Sequence, residues 1–204
     1  MVCDQFSYFS ELAKQKLTAK RFDHCLNVAK TAKSLAEENG VDPQKARLAG
    51  LLHDFYKETD SEVFVEMIKN GHYDSDLLSY SRGVWHGLLG ADLLKQEYEF
   101  YDEEILNAIR YHTITDPRMD QLAKIVFVAD YIEPKRNFRQ VCLAREIAQE
   151  NLDAAVLFEI RSSIKYMMIR SARIHPAMLN TYNALYANNS KLHDLIQKLE
   201  ENWK

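Results

Sequence analysis

Glycine and proline are scarce in this 204-residue chain, six and four respectively, and they fall mostly where segments begin or end. So few breakers favour helices, and alternating strand patterns are nearly absent. Cysteine is scarcer still. Cys3, Cys25 and Cys142 lie far apart with no CxxC spacing, which excludes a disulfide framework and fits reduced cytosolic thiols. No apolar run approaches the roughly 18 residues of a membrane span. The opening MVCDQFSYFSELAKQKL mixes both charge signs where a signal peptide carries an apolar stretch. A basic excess is lacking too. Lys and Arg number 26 against 30 Asp and Glu, a formal charge of −4, so a general nucleic-acid surface is not expected. An anionic small molecule remains open, because a few cations in a water-poor pocket outweigh a mildly acidic whole. The expectation is a soluble, cytoplasmic protein without nucleic-acid or membrane partners.

What is present is 47% hydrophobic and 27% charged, ordinary values for one compact domain spanning 1–204 with a core of its own. Thr18 caps a segment whose Phe22, Cys25, Ala29, Ala32 and Leu35 recur at helical spacing, and Gly40 stops it. Asp42-Pro43 opens a second helix through Ala46, Ala49 and Leu52 into LLHDFYK. Shorter helices are expected from Ser61 to about Asn70, from about Val84 to Tyr98, and from Asp102 through Ile105, Ala108, Ile109 and His112. Residues 72–83 between them read as loop with at most one helical turn. Asp116-Pro117 repeats the cap-plus-proline signature before LAKIVFVADYI, which Pro134 limits. A long helix is expected over about Leu152 to Ser171, and a final pair begins near His175-Pro176 and Ser190, after the polar break Asn188-Asn189-Ser190. Tyr166-Met167-Met168-Ile169 suits core or a dimer face, with core as the default.

Seven histidines are present, and singly each is more often a satisfied or exposed side chain than a ligand. The set is another matter. AGLLHDFYK runs apolar residues straight into His53 and Asp54, so the pair sits at the edge of a buried face, and KIVFVADYI sets Asp130 among apolar neighbours. Burying carboxylates is costly without a cation or a strong partner. His24 adds an imidazole from a separate helix. Two imidazoles and two carboxylates make a mixed site suited to zinc, iron or manganese rather than calcium. His86 and His112 have two readings: ligands to a second metal bridged by Asp54, or hydrogen-bond donors to a substrate phosphate. Arg21 and Lys57 lie three residues from His24 and Asp54, and so share their helix region. Arg136 follows the break at Pro134, where a turn can aim its planar fork at phosphate.

The ordered series His24, His53-Asp54, His86, His112, Asp130 resembles the HD-domain superfamily of metal-dependent phosphohydrolases. RFDHCLNVAKTAKSLAEENG, LAGLLHDFYKE, HGLLGADLL, EEILNAIRYHT, LAKIVFVADYIEPKR and RSARIHPAMLNTYNALY narrow the likeness to the bacterial YqeK family over about residues 18–186. A bare HD dipeptide is a weak signal, whereas the full series with its ADYIEP-x-R phrase is specific. The resemblance implies an all-α, single-domain HD-type bundle with a central metal site. It implies symmetrical hydrolysis of diadenosine tetraphosphate to two ADP by a metal-activated water. The implied ligands are His24, His53, Asp54 and Asp130, holding a divalent or trivalent transition metal, commonly iron, with manganese as an alternative. Nucleotide contacts are implied at Arg21, Lys57, His86, His112, Arg136, Arg173, Ile174, His175, Pro176, Ala177, Met178 and Tyr182.

On the residues' own chemistry, Asp54 would orient or deprotonate the water while Lys57, His86, His112 and Arg136 stabilise the transition-state charge. The rival readings are a hydrolase of another nucleotide, such as a deoxynucleoside monophosphate or a guanosine polyphosphate alarmone, and a non-catalytic metal-dependent nucleotide sensor.

Overall fold

The structure is a computed structural model. It describes the backbone of every residue except Met1, His72, Asn189, Asn202 and Lys204, and the side chains of all but these and Val2, Cys3, Asp4, Asn188 and Ser190. The expected polar break at 188–190 therefore lies largely outside the described residues, as does the Cys3 thiol. Among the described residues, eleven α-helices run α1 (Val2–Lys16), α2 (Ala19–Asn39), α3 (Pro43–Leu52), α4 (Ser61–Asn70), α5 (Arg82–Tyr98), α6 (Glu103–Tyr111), α7 (Gln121–Ile132), α8 (Arg139–Glu150), α9 (Leu152–Ile169), α10 (Pro176–Asn188) and α11 (Ser190–Glu201), with a short 3₁₀ helix at Ser75–Ser79. No strand occurs among the described residues, so the all-α expectation holds. No described helix is long and apolar enough to cross a membrane.

Local chemistry sets the boundaries. Thr18 caps α2 by accepting from Arg21 N, and Gly40 closes it in the left-handed region at φ 69°, where only glycine sits without strain. Asp42 caps α3 through Gln44 N and Lys45 N, with Pro43 in the first turn. Asp60, Ser81, Asp102 and Asn151 cap α4, α5, α6 and α9 in the same manner, each supplying a side-chain oxygen to an otherwise orphaned N–H.

Two helices form the centre. Every residue of α3 from Leu48 to Leu52 is buried, and α7 buries Leu122, Ala123 and Ile125 through Ala129. Being apolar on nearly all sides, they must be wrapped: α3 packs against α1, α2, α6 and α7, while α7 also meets α8 and α9. The α2–α3 approach is the tightest. A Cβ on Gly50 would stand 2.9 Å from Ala29 Cα and 3.1 Å from Val28 O, backbone atoms that cannot swing aside.

Three expectations need correcting, and one helix lies outside them. His53 and Asp54 do not lie within a helix: α3 ends at Leu52, and the chain tightens into i+3 turns, with Phe55 N donating to Leu52 O, Lys57 N to Asp54 O and Thr59 N to Tyr56 O. Asp116-Pro117 does not start α7. Thr115 is left-handed at φ 58°, Asp116 is spent on the backbone and guanidinium of Arg118, and Asp120 is the true cap. Tyr166, Met168 and Ile169 are 57%, 67% and 74% exposed, so the core reading of that segment fails for three of its four residues. Finally, α8 was not foreseen, because its only apolar signal is the sparse stripe Val141, Leu143, Ala144, Ile147 and Ala148.

The Gly50→Ala substitution is expected to lower stability by about 1–3 kcal/mol, the usual cost of overpacking. Urea unfolding measures it, and a midpoint equal to wild type would show that α2 can yield.

Candidate metal centre

The donors come from five places that the packing brings together. Arg21 and His24 are one turn apart on α2. His53 and Asp54 cap the end of α3, His86 is in the first turns of α5, His112 caps α6, and Asp130 is in the last turn of α7. Three of these sites are helix C-terminal ends, where unpaired carbonyls carry partial negative charge and favour a cation. Glu58 ties the turn after Asp54 back to α2, its carboxylate accepting from Thr18 N at 2.7 Å and Thr18 Oγ1 at 2.8 Å.

His53, Asp54, His86 and His112 are buried, and His24 and Asp130 partly so. His24 Nε2 is 3.1 Å from Asp130 Oδ1 and 3.8 Å from Asp54 Oδ2. His53 Nε2 is 3.4 Å from Asp54 Oδ2 and 3.9 Å from Asp130 Oδ1. These approaches lack the alignment of hydrogen bonds: His24 Nε2, His53 Nε2 and Asp54 Oδ1 are all buried without a partner. Buried polar atoms are seldom left so. The other ring nitrogens are occupied, His53 Nδ1 with Gly50 O at 2.7 Å, His86 Nδ1 with Arg82 O at 2.9 Å and His112 Nδ1 with Ile109 O at 2.6 Å. An Nδ1–H donating to a carbonyl leaves the Nε2 lone pair facing inward, the arrangement of a ligating histidine. Donor atoms of His24, His53 and Asp130 fall within 4.8 Å of one another, as do those of His53, Asp54 and His112. Three orphaned atoms on a common centre, of imidazole and carboxylate type, fit a divalent transition metal.

Charge follows the same geometry. Burial acts to raise the Asp54 carboxyl, but His53, His112 and His86 outweigh it and hold it well below the carboxylate range. Asp130 is likewise held low against its burial by His24, His53 and Arg136. Burial pushes His112 down to about 4, and it lowers His86, to which the charge of Lys57 adds. Both imidazoles are therefore neutral at pH 7.

Cations ring the centre. Arg21 Nη1 is 2.8 Å from Asp54 Oδ2, and Arg136 Nη2 is 2.5 Å from Asp130 Oδ1. Lys57 Nζ stands 3.0 Å from His86 Nε2 and 3.6 Å from Asp54 Oδ1, beside the donors that a second metal would need, since His86 Nε2 and His112 Nε2 are 3.0 Å apart and 2.9 and 3.6 Å from that same oxygen. His112, Asp130 and Arg136 open onto a cavity of about 1260 Å³ lined also by Phe127, Tyr131, Glu159, Arg161 and Tyr166.

The C-terminal candidates divide. Met178 lines the cavity, and Ile174 is partly buried against the core. Arg173 faces Asp76 at 3.6 Å, and the His175 ring lies 5.1 Å from Tyr80. Pro176 begins α10, and the N–H of Ala177 already donates to His175 Nδ1 at 3.3 Å. Tyr182 stacks on Tyr186, ring centres 5.9 Å apart, rather than lining the cavity.

Two residues around the centre escaped the sequence reading. Glu133 Oε1 is 3.4 Å from His24 Nδ1, a carboxylate behind a candidate ligand that orients the ring; its signal was its place three residues after Asp130. Arg145 on α8 donates to Ile132 O at 2.9 Å and to Glu133 O and Arg136 O, each at 2.8 Å, which fixes the turn that carries Glu133 and Arg136. Its partners are backbone carbonyls, and no sequence motif marks such a contact.

The model of the HD domain matches residues 21–135, the stretch that contains all four expected metal ligands together with His86 and His112, and the chain belongs to the HD domain family. Within that class it is 37% identical over 176 residues to the symmetrical bis(5'-nucleosyl)-tetraphosphatase of Bacillus subtilis, covering 86% of this chain and 95% of that one. The enzyme of the same description from Staphylococcus aureus is 35% identical, over 90% of this chain and 95% of its own. A solved structure described as a predicted HD superfamily hydrolase involved in NAD metabolism, from Clostridium acetobutylicum, superposes with a TM-score of 0.85 at 34% identity. It covers 90% of this chain and 98% of that one. The family expected from the motif series and the expected helical architecture are both found.

Manganese at about 100 times its Kd should add about 2.7 kcal/mol of stability, a rise of roughly 5–10 °C in melting temperature for a chain of this size. The His53→Ala protein should show no such rise; an equal rise there would remove His53 from the ligand set. A pH effect is also expected in chelator-treated protein. Because folding depresses His112 from the ordinary 6.5 to about 4, the unfolded chain binds its proton first, so stability falls as pH drops from 6.5 toward 4. Unfolding free energies across that interval should fall less steeply in His112→Gln.

Proposed function

We propose that this protein hydrolyses diadenosine tetraphosphate symmetrically, giving two ADP. The observation that carries the reading is the cluster of acids, neutral imidazoles and cations around Asp54 and Asp130, whose His112, Asp130 and Arg136 line a cavity of about 1260 Å³, in a chain that aligns nearly end to end with enzymes of that description.

His24, His53, Asp54 and Asp130 would hold the metal, iron or manganese. When bound, such a cation supplies Lewis acidity toward a phosphoryl oxygen and lowers the pKa of water from 15.7 toward about 7. Asp54, kept ionised by its imidazole neighbours, accepts a hydrogen bond from the attacking water and aligns it with the phosphorus. His86 and His112 lie against Asp54 Oδ1 with Nδ1–H committed to carbonyls, so each donates to a phosphoryl oxygen once the anionic nucleotide favours a proton on its Nε2. The ammonium of Lys57 beside His86 favours this role for the two histidines over a second metal, since a second cation would stand against it. Lys57, Arg21 and Arg136 neutralise charge that develops on the transferred group and on the departing ADP. Breaking the central anhydride requires water to strike the second phosphorus from one adenosine, so one ADP half lies inward, with Met178 beside it, and the other runs out along the cavity.

Product analysis on diadenosine tetraphosphate and on deoxynucleoside monophosphates and guanosine polyphosphates tests the choice. The expected result is two ADP without inorganic phosphate. ATP plus AMP, or turnover confined to another nucleotide, would sink it, and binding without turnover would favour a sensor. Lys57→Met should lower kcat by about 10²–10³ while metal content stays at the wild-type level.

A further inference from the structure

Midway along α9, Glu159 has no part in the site described so far. It is 6% exposed, its Oε2 is buried without a hydrogen-bond partner, and it lines the same cavity as Asp130 and Arg136. Arg136 presents the complementary defect: its Nε is buried with no partner, while Nη2 donates to Asp130 Oδ1 at 2.5 Å. One donor and one acceptor thus stand unpaired along one cavity. Folded proteins seldom leave either kind of group unsatisfied.

The partner that Arg136 does have would be shared with a metal. Asp130 Oδ1 is the oxygen 3.1 Å from His24 Nε2, so a cation seated among the ligands competes with the guanidinium for it. Arg136 then needs another anchor, because an unanchored arginine loses the fixed fork geometry that makes it suited to phosphate. We propose that Glu159 is a positioning residue: with Asp130 committed to the metal, Arg136 Nε–H donates to Glu159 Oε2 and both Nη groups turn to the phosphate oxygens of the nucleotide. Burial pushes the Glu159 carboxyl well above its ordinary range, yet the pairing does not depend on its ionisation, since either form offers one oxygen free of a proton. The proposal rests on the nucleotide reading above.

The test uses full-length protein loaded with manganese and ADP as the probe, with affinity read by calorimetry beside kcat/KM on diadenosine tetraphosphate and the melting temperature. Glu159→Leu is expected to weaken ADP binding by at least about tenfold, as loss of a bidentate phosphate contact does, with the melting temperature held or raised. Glu159→Gln, which keeps an acceptor oxygen, should recover binding to within about threefold. In an Arg136→Met background the Leu substitution should add less than about twofold, because the two groups act as one unit. Wild-type affinity in Glu159→Leu, or an undiminished further loss in Arg136→Met, would overturn the positioning role alone. Should the Leu protein fail to fold, Glu159→Met carries the same comparison. Wild-type protein that bound no ADP would overturn this role and the substrate reading together.

Discussion

Two carboxylates sit at the ends of the two most deeply buried helices among the described residues, and that burial is the constraint on which the rest depends. Asp54 follows an α3 that is buried on nearly every side, and Asp130 closes an α7 of the same kind. An ionised carboxylate so placed costs several kcal/mol unless positive charge meets it. Arg21 and His53 meet Asp54 at Oδ2, Lys57 and His86 meet it at Oδ1, and Arg136 meets Asp130, yet three buried atoms remain unpaired at the centre. A core that is otherwise well satisfied has a deficit at one point, and its donor types define what fills it.

The same arrangement divides two kinds of work among similar side chains. His24 and His53 turn unpartnered nitrogens toward both carboxylates, whereas His86 and His112 crowd against one oxygen of Asp54 with a lysine beside them. Asp54 touches both groups, and in the proposed reading it couples the candidate metal ligands to the side chains that would meet a phosphoryl group. Its depressed pKa belongs to that coupling: a carboxyl held ionised keeps an acceptor for the water of the proposed reaction.

Much of this was legible in the chain itself. Thr18 to Gly40 and Asp42-Pro43 set α2 and α3 correctly because capping oxygens and a left-handed glycine act locally. The ligand series was readable because an acid amid apolar residues demands an explanation whatever the fold. Failures arose where the decisive partner is distant or is backbone. Asp116-Pro117 looks like a helix start, but Arg118 takes the carboxylate and a left-handed Thr115 turns the chain. Tyr166, Met168 and Ile169 carry the periodicity of a core stripe, and nothing local says that no helix covers them. Arg145 is silent in sequence because it grips carbonyls, which every residue has.

The match to the HD domain stops at residue 135, one position before Arg136. All four candidate ligands precede that boundary, while Arg136, the Arg145 that holds its turn, Glu159 and Met178 follow it on or beside α8, α9 and α10. The chain therefore divides into a front portion that holds the candidate ligands and a rear portion that supplies most of the lining of the cavity beside them. Exchange of the rear helices offers a route to new substrates in which no ligand position has to change.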